Sequence, residues 1–217
     1  MRLLDKILIA LSVLIVIATA FYIYSTFTAP IDTKGDLTSL DISNNPIQTA
    51  IDSLHLPPLS YGDATFHFHP RAGYVISGQL VSKRKYSSGF MHNLSPWDYA
   101  LVWGGAIQQL DRIKFKQVVR FCLFTYNPDK PVDPRFIGEH MSNNHLIPSN
   151  KNLRKALALA KKGSKVKLEG YLVDVAAMKG DQYAGEWNTS LVRTDDGNGA
   201  CEIIYLTKVR IDDRVYQ

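Results

Sequence analysis

The sequence predicts an α+β domain behind a single N-terminal transmembrane helix. The domain is a small coiled, barrel-like antiparallel sheet, OB-like in character, with two or three short helices. Three observations carry this. Residues 7–24, "ILIALSVLIVIATAFYIY", hold no charge. Two long strand-like runs, residues 72–86 and 164–175, each contain an internal glycine. Two segments open on helix-capping residues and end at glycine, "SPWDYALVWGG" and "SNKNLRKALALAKKG".

The eighteen residues 7–24 reach roughly 27 Å as a helix, enough to cross a hydrocarbon core. Arg2 and Lys6 stand before them, so the positive-inside rule places the N-terminus in the cytoplasm and the rest outside. A cleaved signal peptide is the rival, because "ATA" at 18–20 has the small-x-small form of a cleavage site. The apolar run continues past that point through two tyrosines suited to a membrane interface, which favours a retained anchor. The organisation is then an anchor over 1–25, a polar tether over 26–45 and an extracytoplasmic domain over 46–217.

Within the domain, "NPIQTAIDSL" predicts a short helix with Asn45 as cap and Pro46 at its first position. Strands follow at 72–86 and 164–175, where Gly78 and Gly170 mark bulges or sharp bends in coiled strands. "SPWDYALVWGG" predicts a helix capped by Ser95, with Asp98 closing a capping box. Residues 116–126, 186–193 and 200–211 predict three further strands, the last two joined by the turn "TDDGNG". The helix from Ser149 or Asn150 to Gly163 places Leu153, Ala156, Leu157 and Ala160 on one face.

Its other face is cationic, with Lys151, Arg154, Lys155, Lys161 and Lys162. Residues 151–170 carry seven Lys or Arg against one Glu, in a chain of net charge +5. Such a face suits anionic lipid, with another envelope protein as the alternative partner. A solvated helix end complementing its own dipole accounts for the same lysines. Nucleic acid does not fit an extracytoplasmic location.

Outside the cytoplasm, Cys122 and Cys201 either form a disulfide or serve as two buried thiols. A reactive thiol ranks below both, since no C-x-x-C or dedicated Cys/His motif is present. His67 and His69 share one side of a strand, but no third ligand is identifiable, so neither a metal nor another cofactor is expected. The hairpin over 190–202 gathers Ser190, Arg193, Asp195, Asp196, Cys201 and Glu202. Its Asp, Asn and Gly content also suits a plain turn.

"SNNHLIPSN", residues 142–150, reads as a polar loop entering a helix. Pro148 and Ser149 explain themselves by helix initiation. Asn143, Asn144 and His145 do not, and His145 is the first candidate for a functional residue. Four stretches, "NNHLIPSN", "GYLVDV", "SLVRTDDGNGACE" and "LSPWDYALVWG", resemble segments of an uncharacterised family of bacterial proteins with an N-terminal anchor. The resemblance covers most of residues 70–211. It implies a bacterial envelope setting and transfers no activity and no catalytic residue.

Two readings of function remain. One is a tethered domain that binds an envelope polymer or protein, with Asn144, His145, Arg193, Asp195, Lys151, Lys155 and Lys162 as candidate contacts. The other is a hydrolase using His145 with a carboxylate of the 195–196 turn. Geometry separates them: a partner for His145 among Asp195, Asp196, Ser190 and Cys201, on the floor of a cleft, raises the enzymatic reading.

Overall fold

The computed structural model describes residues 3–33, 38–192 and 201–217. Contacts divide the chain into Met1–Ile31 and Asp32–Gln217. The first unit holds α1 (Leu3–Thr28), whose apolar stretch Leu4–Tyr24 is exposed throughout. Its length and composition suit a membrane anchor or a signal sequence.

The second unit begins with β1 (Ile47–Thr49), β2 (Leu59–Tyr61), β3 (Ala64–Lys85) and β4 (Trp97–Val102). A 3₁₀ segment, Gly104–Arg112, leads to β5 (Ile113–Val118), β6 (Phe121–Tyr126), α2 (Pro134–Glu139) and β7 (Met141–Pro148). Then come α3 (Lys151–Ala156), β8 (Lys165–Lys179), β9 (Gln182–Trp187), β10 (Glu202–Ile211) and β11 (Arg214–Tyr216).

Five strands close a ring, in the order β3, β4, β7, β10, β8 and back to β3. Four of its contacts are antiparallel, and β7–β10 is parallel. In chain order α3 lies between the third and fourth ring strands. The ring is not a clean barrel, because β8 leaves β10 at Leu172 and runs on beside β3 as a ribbon carrying β9.

The ring interior is filled from all five strands, by residues such as Ile76, Leu101, Leu146, Leu168 and Ile204, and α3 closes it with Leu153, Ala156 and Leu157. The ring coils where it does because of close backbone approaches. A Cβ on Gly170 would stand 2.1 Å from the Tyr205 carbonyl oxygen, and one on Gly78 2.8 Å from that of Val102. The strand facing Gly170 bulges between Leu206 and Lys208, and β3 itself bulges between Leu80 and Ser82, just past Gly78.

Several elements differ from expectation. The segment expected as a helix from Asn45 pairs as β1 along Val75–Gly73 of β3, and Asn45 accepts from the Trp103 indole at 2.9 Å instead of capping. The capped helix expected at 95–104 is β4. Its aromatic and apolar side chains bury on both faces, a gain that outweighs the local capping signal. Residues 116–126 form two strands rather than one. The loop expected at 142–148 is β7, buried along its whole length between β4 and β10. The strand expected at 186–193 ends at Trp187. The helix after Pro148 is shorter than expected, capped by Asn150 accepting from the Leu153 N–H at 2.9 Å. Its buried face is the expected one, Leu153, Ala156, Leu157 and Ala160.

Parts of the stretch expected as a tether lie along the domain. The Thr33 N–H donates to the Val215 carbonyl at 2.8 Å, and the Gly104 N–H to that of Ile42 at 2.9 Å.

Replacing Gly170 by Ala forces β8 and β10 apart at the Tyr205 carbonyl. The expected loss is about 2 kcal/mol, read as a fall in melting temperature of roughly 4–8 °C. An unchanged melting temperature contradicts the close approach.

Candidate active site

Alternation along β7 sorts its polar residues onto two sides. Ser142, Asn144 and Leu146 face the ring interior, where Leu146 joins the main core. There the Ser142 hydroxyl donates to Glu202, and the Asn144 amide donates to the Tyr99 carbonyl at 3.1 Å. Asn144 therefore braces the interior. Asn143, His145 and Ile147 face outward, and the site is built on this side.

Register brings the outward residues together. In the β4–β7 ladder Asp98 stands directly opposite His145. In the parallel β7–β10 ladder Glu202 stands opposite Asn144, which puts Cys201 next to Asn143. The Asn143 amide nitrogen lies 3.7 Å from the Cys201 sulfur.

The β5–β6 hairpin supplies a fifth group. Its two turn residues, Val119 and Arg120, have φ of 42° and 67°, as a tight two-residue hairpin turn requires. Neither is glycine, and a β-branched residue in this region stores strain. What holds the turn is Arg120. Its guanidinium donates to Asp98 at 2.8 Å and to the Ser95 carbonyl at 3.0 Å, and lies 3.8 Å over the Tyr86 ring. Its backbone N–H donates to the Tyr86 hydroxyl at 3.1 Å.

Asp98 has no exposed surface and is shared. One oxygen, Oδ1, meets Arg120 and also lies 2.9 Å from His145 Nδ1, without the straight N–H···O line of a full hydrogen bond. The imidazole leans on the Trp187 ring, with centroids 4.6 Å apart. Burial by itself would lower the His145 pKa, but Asp98 and Cys201 outweigh it and hold the pKa above 6.5. A histidine with a raised folded pKa contributes stability fully below its unfolded value and loses that contribution as pH climbs through the folded one.

A cleft of about 540 Å³ opens over these groups. Arg120, His145, Cys201, Glu186 and Asn188 are its polar lining, and Met91, Phe121 and Trp187 its apolar one. Nδ1 lies beside Asp98, and His145 and Cys201 line the same cleft, with Cys201 among the groups that raise the imidazole pKa. A thiol, an imidazole and a carboxylate in that order can ionise the sulfur and move its proton.

Cys122 and Cys201 are both free thiols, and no disulfide joins them. Burial, with the neighbouring Cys201 as the second cause, pushes the Cys122 pKa up to about 12. Cys122 is thus poorly ionised at neutral pH. Lys151, Lys155 and Lys162 are exposed and line no part of this cleft. Arg193, Asp195 and Asp196 lie outside the described residues. His67 and His69 are exposed on one side of β3, and no group of three or more His, Cys, Asp or Glu forms a metal cluster among the described residues.

The sequence singled out His145 and offered Cys201 only as a disulfide or buried thiol and as one of four possible partners for that histidine; Asp98, Arg120, Ser95 and Trp187 had no functional role in it. The available signal was a charged residue inside each of two apolar runs, "WDYALV" and "VVRF". No family model, curated protein or solved structure matches the chain.

Replacing Arg120 by Met leaves the Asp98 carboxylate buried without its cation. The expected cost is about 3 kcal/mol, and adding Asp98→Asn should recover a large part of it. Chemical unfolding of the two variants measures this. An Arg120→Met protein as stable as the wild type contradicts the shared-carboxylate arrangement.

Proposed function

We propose that this chain is a membrane-tethered extracytoplasmic enzyme that performs thiol-dependent acyl transfer in the cleft over Cys201. The observation that supports this best is His145, buried against Asp98 and sharing a cleft wall with Cys201, which helps to raise its pKa.

Each group has a role. Cys201 is the nucleophile and His145 its base, while Asp98 holds the imidazole and favours its charged form. The sulfur gives its proton to His145 and attacks an acyl carbonyl, forming a C–S bond and an oxyanion. The oxyanion collapses, the bond to the leaving group breaks, and His145 returns the proton to that group. Water or an acceptor amine or alcohol then attacks the thioester, the C–S bond breaks, and the sulfur regains a proton through His145. Arg120 places positive charge at the cleft wall, which favours the developing oxyanion.

The binding-domain reading weighed first from the sequence has the exposed lysines after Asn150 in its favour. Those lysines supply an electrostatic surface and no chemistry. Tethering through α1 keeps either activity near the membrane.

The test uses the full-length chain in detergent with p-nitrophenyl acetate. The expected result is a burst of about one p-nitrophenolate per chain, with an acetyl group on Cys201 by mass spectrometry. Cys201→Ala and His145→Ala should each abolish the burst. A wild-type protein with no burst and no adduct overturns the reading.

A further inference from the structure

Asn143 is buried on the outward side of β7, and each of its side-chain atoms has an identifiable task. Its amide nitrogen donates to the Arg120 carbonyl at 2.7 Å and lies 3.7 Å from the Cys201 sulfur. Its amide oxygen accepts from Gln117 Nε2 at 2.9 Å. The orientation follows from chemistry, because a backbone carbonyl only accepts. Nδ2 must therefore face Arg120, which leaves Oδ1 for Gln117 and obliges Gln117 to present its own N–H. Gln117 is itself buried, and its Oε1 has no hydrogen-bond partner. A buried amide left half-satisfied is unusual unless its other end has a task.

The sulfur sits between two groups of opposite polarity. The Arg120 carbonyl, 3.8 Å away, accepts from the protonated thiol. The Asn143 amide N–H favours the ionised one. When the proton passes to His145, the carbonyl contact turns repulsive and the amide contact strengthens, since hydrogen bonds to charged acceptors are the stronger kind.

We infer that Asn143 is a further catalytic residue that stabilises the Cys201 thiolate, and that Gln117 positions it. The inference rests on the thiol-enzyme reading and adds the group that receives the sulfur's charge. The carboxamide also satisfies the Arg120 carbonyl and the Gln117 amide, so its place beside the sulfur is held by partners on both of its ends. Gln117 never touches the sulfur and acts only by keeping the Asn143 oxygen turned away from it.

The experiment follows alkylation of Cys201 by iodoacetamide from pH 5 to 10, using full-length Cys122→Ser protein in detergent. Asn143→Ala should slow the reaction about tenfold at neutral pH and move the pH of half-maximal rate up by about one unit. Gln117→Glu, which swaps the donor facing Oδ1 for an acceptor, should shift the profile the same way. Asn143→Ser keeps a donor hydroxyl and should recover part of the rate. Melting temperatures are measured alongside, and if Asn143→Ala fails to fold, the Gln117→Glu and Asn143→Ser profiles decide. Profiles that match the Cys122→Ser parent overturn the inference while leaving the thiol reading intact. A parent thiol that reacts no faster than free cysteine overturns both.

Discussion

A carboxylate with no exposure to water is the constraint around which this domain is arranged. Asp98 lies in the middle of β4, where an isolated negative charge would be strongly unfavourable. It is tolerated because Arg120 arrives from another part of the chain to pair with it. That pairing explains the turn between β5 and β6, whose two residues take left-handed conformations without glycine. It also explains Tyr86, which lies under the guanidinium and receives the turn's backbone N–H. The same carboxylate oxygen turns His145 toward the cleft. One buried charge thus links a strained hairpin, a stacked cation and a poised imidazole.

The parallel contact between β7 and β10 makes the arrangement possible. It lets a strand of alternating polar residues serve two environments at once. Inward, Ser142 and Asn144 satisfy Glu202 and backbone groups inside the ring. Outward, Asn143 and His145 meet Cys201 and Asp98. Ordinary strands in a barrel place polar residues toward water and apolar ones inward. β7 does neither because both of its faces are covered, so every polar atom on it must find a partner in the protein.

How much of this was legible in the sequence depended on range. The N-terminal apolar helix, the irregular coiling of the strands near Gly78 and Gly170, and the buried face of α3 are encoded by local patterns, whereas the close backbone approach at each glycine is a tertiary feature. His145 stood out because no local rule explained it. β4 was misread because Ser95, Pro96 and Asp98 imitate a helix start, whereas Asp98 answers to Arg120, 22 residues away. β7 was misread because its polarity suggests solvent, and only the tertiary ladders reveal that partners surround it. The β5–β6 hairpin carried no Asn-Gly or Asp-Gly signal, since its turn is held by a side-chain anchor rather than by intrinsic preference. Cys201 lies beside a segment whose hairpin signal concealed the proximity of its thiol to β7.

The coupling of His145 to both Asp98 and Cys201 is the centre of this account, and NMR titration of the imidazole nitrogens tests it most directly. A midpoint above 6.5 is expected, with the proton on Nδ1 in the neutral form, facing Asp98. Replacing Cys201 by Ser should lower that midpoint, because the thiol is one of the groups that raise it. A midpoint at or below 6.5 that does not move on Cys201→Ser would contradict the account.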